Sequence, residues 1–163
     1  MVFPAVRLTG CFPEAHGFAL LGPVRLDQHL GTDSTGRDLL DLFSTTEAGD
    51  SLGAESYTVL VRHAADPCPR SAAAFSSPGW ILGSATGSLL LCGVGYLRHW
   101  QPDHPAHHRV AVPPDWYETE VRGHAQAEGA DDGTYEFVLT STPTRPVCHA
   151  DPAQRFAIRH GDL

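Results

Sequence analysis

Between Arg98 and Val110 the chain reads RHWQPDHPAHHRV, which sets His99, His104, His107 and His108 beside Asp103. Imidazole nitrogens and a carboxylate are zinc ligands, and a zinc site needs three or four of them converging at about 2.0 to 2.3 Å. Helical HxxxH or HExxH spacing supplies that convergence. His104, His107 and His108 lie instead in a proline-flanked segment with no helical period. The segment joins an apolar stretch ending at Trp100 to another beginning near Val110, which is where a surface connection belongs. The spacing favours a connection, and no metal ligand is assigned; a metal centre would need a further donor such as His149 or Asp103.

Other chemistry-bearing patterns are incomplete. GSATGS, from Gly83 to Ser88, has the glycines of a phosphate loop but lacks the lysine of GxxxxGK[ST] and leads into a strand. Its centre carries alanine where a nucleophile elbow needs serine. HAADPCP, from His63 to Pro69, lacks the acid and second cysteine of a zinc deaminase. Glu118 and Glu120 share a strand face, as an acid and base pair could, but alternation on an exposed side reads better as a partner-facing edge. Cys11, Cys68, Cys92 and Cys148 form no CxxC pair and read as reduced thiols. No catalytic residue and no cofactor are assigned.

Charge narrows the partners. The formal charge is -8 with a pI near 5.6, whereas proteins that wrap phosphates show a basic face, so direct nucleic-acid binding is not expected. The expected partner is a basic protein. Between Asp27 and Glu55 seven acids stand against a single base, Arg37, and Asp38, Asp41, Glu47 and Asp50 are the candidate partner-binding acids there. Lysine and asparagine are absent and all 11 positive charges are arginine, a bias of GC-rich bacterial genomes that weakens any argument from arginine geometry.

The elements that position these groups read as strands. A chain of 163 residues with 42% hydrophobic content suits a single β domain over residues 1–163. No apolar run reaches the roughly 20 residues that span a bilayer and the start lacks an apolar leader, so no membrane contact and a cytoplasmic location are expected. VFPAVRL and GFALLGPVRL read as edge strands broken by Pro4, Gly22 and Pro23. Leu39, Leu40, Leu42 and Phe43 recur at near-helical spacing and predict one short helix over residues 36–46. YTVLVRH is β-branched, and Ala64 to Trp80 reads as a loop. Ser88 to Trp100 is apolar on both alternating faces and reads as one central strand. In DWYETEVRG, Tyr117, Thr119 and Val121 face one way while Glu118, Glu120 and Arg122 face the other; TYEFVLTS then returns as its hairpin partner. These last three strands are expected to follow one another as a meander. The fold class is mainly β, an antiparallel sandwich or open barrel with one short helix.

The succession GSLLLCGVGYLRHW, VAVPPDWYETEVRG and TYEFVLTS, from Ser88 to Ser141, resembles small bacterial β-proteins of the immunity and nuclease-inhibitor type, those similar to competence protein J. PPDW departs from the glycine-bearing turn of that pattern, and no functional residue is carried over. The resemblance implies a protein that acts by binding and blocking a nuclease or another toxin. With the acidic charge it gives the expectation of a non-enzymatic, stoichiometric binder of a basic toxin or nuclease, using Trp116, Glu118 and Glu120 beside the acids above. The alternative is a small metal-dependent or ligand-binding β-barrel enzyme using His99 to His108.

Overall fold

The computed structural model describes residues 2–11, 18–22, 57–67, 72–93, 95–96, 101, 103–125, 133–151, 153–154 and 158. The helix expected over 36–46 lies outside them. The described residues hold eight strands: β1 (Val6–Cys11), β2 (Phe18–Leu21), β3 (Tyr57–His63), β4 (Phe75–Ser84), β5 (Ser88–Gly93), β6 (His108–Ala111), β7 (Asp115–His124) and β8 (Thr134–Thr142). They form a five-stranded sheet of order β1-β3-β8-β7-β4 and a three-stranded sheet of order β2-β5-β6. All strand pairs are antiparallel except β3 with β8. Among the described residues the fold is mainly β, with sandwich-like packing of two sheets and no closed barrel.

Period-2 alternation makes the core. Val59 and Val61 of β3, Tyr117 of β7 and Leu139 of β8 meet Leu89 and Leu91 of β5 and Val110 of β6, each at most 1% exposed. Tyr117 also donates its hydroxyl to the Pro113 carbonyl at 2.6 Å, which satisfies the polar end of a buried ring. A second cluster gathers Tyr57, Tyr135 and Ile158, with the two tyrosine rings 5.5 Å apart. Burial pushes the Tyr135 hydroxyl well above its ordinary pKa, with Tyr57 adding to it.

Three expectations need correction. The strand from Ser88 ends at Gly93, and Tyr96 turns to pack on His104 and His107 at 4.5 and 5.5 Å between ring centres. The meander also fails: β7 and β8 form the expected hairpin, but β5 lies in the other sheet with β6. The chain changes sheets through Val112-Pro113-Pro114, where prolines cannot continue a ladder, and Val112 N donates instead to Gly87 O at 3.1 Å. Finally, the segment from Ala64 to Trp80 is not all loop, because β4 begins at Phe75. An edge strand tolerates Pro78 where the register shifts between Ser77 and Trp80, and Gly79 at φ +88° supplies the bulge.

The β4–β7 pair contains two aromatic-on-glycine contacts. Phe75 lies over Gly123 on the inner face, and a Cβ on Gly123 would come within 2.1 Å of its ring. Gly123→Ala is therefore expected to displace Phe75 and lower stability by about 1 to 3 kcal/mol, read from the urea midpoint.

Candidate functional site

On β7 the residues opposite the core alternate as Trp116, Glu118, Glu120, Arg122 and His124, and the structure divides them into a buried end and an open end. At the buried end sits Glu136 of β8, 3% exposed, across from Arg122. Arg62 of β3, fully buried, donates through Nε to Glu136 Oε1, and His124 Nε2 donates to Oε2 at 2.9 Å. Arg62 Nη1 also reaches the carbonyls of His63 and Asp66 at 3.3 and 3.4 Å. Burial alone would push the Glu136 carboxyl up, but the hydrogen bonds and charges of Arg62 and His124 outweigh it and hold it below the usual carboxylate range.

Glu120 belongs to the adjoining cluster. Arg122 grips it bidentately at 2.6 and 2.8 Å, and Ser76 of β4 donates to the same carboxylate at 2.6 Å. That pairing raises the Arg122 pKa further above its ordinary value. Glu120 thus carries internal partners as well as its place beside the open end.

The open end is built around Trp116. Its register partner is Gly83 of β4, and a Cβ there would sit 2.8 Å from the indole, so the ring lies flat on the strand. The guanidinium of Arg145 stands 5.6 Å from the indole centre. Two residues along, Glu118 is 43% exposed and faces His149 Nε2 at 3.5 Å. A rigid aromatic and an exposed carboxylate therefore share one face, each met by a basic side chain.

Of the predicted partner-binding residues, Trp116, Glu118 and Glu120 lie together on this face, whereas Asp38, Asp41, Glu47 and Asp50 fall outside the described residues. Arg62, Glu136, Gly83 and Arg145 were missed, and His149, considered only as a further metal donor, faces Glu118 instead. A signal for the first two existed: each is a lone charge inside an otherwise apolar strand, and opposite signs in two such strands favour pairing.

Of the histidine segment, His99 lies outside the described residues and His104 to His107 form a turn. His107 N donates to His104 O at 3.0 Å, Ala106 N donates to His104 Nδ1 at 3.2 Å, and Arg109 pairs with the exposed Asp103 at 3.1 Å. Among the described residues no three His, Cys, Asp or Glu side chains come together as metal ligands. No described helix is long and apolar enough to cross a membrane. A cleft of about 350 Å³ opens beside the turn, lined in part by Cys11, Phe18, Cys92, Tyr96 and His108. Burial pushes the Cys92 thiol up to about 12, which makes it a poor nucleophile at neutral pH.

No protein-family model matches the chain, and no curated protein matches it. Among solved structures it is similar to the crystal structure of ComJ, inhibitor of the DNA degrading activity of NucA, from Bacillus subtilis, with a TM-score of 0.49 and 11% identity, covering 87% of this chain and 98% of that one. It is also similar to Crocagin biosynthetic gene J, with a TM-score of 0.43 and 13% identity, covering 82% of this chain and 94% of that one.

Proposed function

We propose that the chain is a stoichiometric binding protein that neutralises a basic protein, a nuclease or another toxin, in the bacterial cytoplasm. The observation that carries this reading is the open end of β7, where Trp116 is laid flat and Glu118 stands exposed on one sheet face of an acidic chain. Rigid aromatics anchor protein interfaces because they bury large area at small entropic cost, and acids around them steer a basic partner into encounter. The nuclease or toxin class of partner is the one implied by the sequence resemblance over residues 88–141.

The test is capture from extract of the native host, followed by an assay of the captured protein. A basic protein held at about one equivalent, whose activity the chain suppresses, is the expected result; an acidic partner, or a basic one left fully active, would refute the proposal. The acids of residues 27–55 enter through rate. Asp38→Asn with Asp41→Asn is expected to slow association with that partner and flatten its salt dependence, with little change in dissociation, as surface plasmon resonance would read.

A second reading, binding of a small ligand, has the cleft beside His108 and Tyr96 in its favour. It predicts a small molecule retained through purification and visible in mass spectra of the denatured protein.

A further inference from the structure

Residues 143–151 leave β8 and cross the open end of the β7–β4 face without joining either sheet as a strand. Arg145 lies over Trp116, His149 reaches Glu118, and His149 N donates to Gly79 O at 3.1 Å, at the bulge of edge strand β4. The last contact is built in, because a side chain on Gly79 would come within 2.6 Å of the His149 ring. Yet the segment is open to solvent: Val147 is 82% exposed and the His149 side chain 62%. One hydrogen bond ties it back to the end of β8, from Thr142 Oγ1 to Thr144 O at 2.9 Å, and one is internal, between His149 Nδ1 and Val147 O at 3.2 Å.

The chemistry of these contacts defines a ligand. A planar cation rests on an indole, a second basic group meets a carboxylate, and a backbone N–H caps a carbonyl of an edge strand. We infer that the face formed by Trp116, Glu118 and the Gly79 carbonyl is a receptor for an extended, arginine-rich segment of the protein partner, which residues 143–151 occupy as a self-ligand until it displaces them. The inference rests on the proposed binding of a basic protein and names the place and manner of docking. An incoming segment with more cations strengthens the contacts to Trp116 and Glu118 and can pair along the β4 edge, as peptides do when they add to a sheet. While the chain's own segment stays in place, the competent fraction is reduced and apparent affinity falls in proportion.

The probe is a fluorescein-labelled (Arg-Val)4 peptide, with (Glu-Val)4 as the charge control, titrated by fluorescence anisotropy against the full chain. The basic peptide should bind and the acidic one should not. Trp116→Ala and Glu118→Gln should each weaken binding by about tenfold or more, the scale of an anchor residue. Arg145→Ala with His149→Ala should tighten it several-fold by freeing the face. Equal affinity for all these proteins would overturn the inference, and so would weaker binding to the Arg145 and His149 double variant, since those groups would then belong to the receptor. Glu118 is exposed, so its variant keeps the test valid if Trp116→Ala misfolds. If Glu118→Gln and Trp116→Ala proteins still hold the captured basic partner at full affinity, docking at this face is wrong and the binding-protein reading survives; failure to capture any basic partner sinks that reading instead.

Discussion

Glu136→Gln is expected to destabilise the protein by about 3 to 5 kcal/mol at neutral pH, the range for breaking a buried ion pair by removing one partner. The reason is Arg62, which is fully buried, pairs with Glu136 and has an Nη2 with no hydrogen-bond partner among the described residues. Glutamine keeps an acceptor but no charge, so the guanidinium is left uncompensated in a medium of low dielectric. Urea unfolding of the purified variant would read the loss. Replacing both ends together, as Arg62→Met with Glu136→Leu, should recover much of it, because the buried guanidinium is then gone and, of the groups hydrogen-bonded to Glu136, only His124 is left to lose a partner.

The same pair predicts a pH dependence. Folding holds the Glu136 carboxyl below its ordinary value, so the unfolded chain takes up its proton first as pH falls. The stability this carboxylate contributes is present above the unfolded value of about 4.3 and is lost as pH drops through the lower folded value. Acid unfolding of the native chain should steepen below about pH 4.3, and the Glu136→Gln variant should show a shallower slope there.

The second large effect is on binding. Trp116→Ala is expected to cost about 2 to 4 kcal/mol of affinity for the proposed basic partner, the loss typical of a central aromatic anchor. Its effect on folding should be smaller, because the indole is only half-buried and packs on Gly83 at an edge-strand pair. Calorimetric titration alongside thermal unfolding separates the two. A large drop in melting temperature with affinity unchanged would make Trp116 a packing residue only.

Local pattern made much of this face legible. The β-branched run YTVLVRH is β3, from Tyr57 to His63, and the alternation of Tyr117 and Thr119 against Glu118 and Glu120 places the acids opposite the core, as β7 does. The edge character of the first strands also holds among the described residues, where β1 and β2 each end a sheet. Non-local pairing was not legible. Arg62 and Glu136 are 74 residues apart and meet only because β3 and β8 run parallel side by side, which no short window of sequence encodes. Strand β4 was hidden for a different reason: Pro78 and Gly79 read as loop residues, and only an edge position with a bulge makes them compatible with a strand. The self-ligand was hidden as well, because Arg145 and His149 have no periodicity and acquire meaning only over Trp116 and Glu118.

The most direct measurement is a titration of the captured partner's activity with the purified chain at low ionic strength. A stoichiometric inhibitor predicts a linear fall to a break at one equivalent, shifted to weaker binding by Glu118→Gln and by added salt. Full inactivation by a small fraction of an equivalent would mark an enzyme acting on its target, and undiminished activity at several equivalents would contradict inhibition altogether.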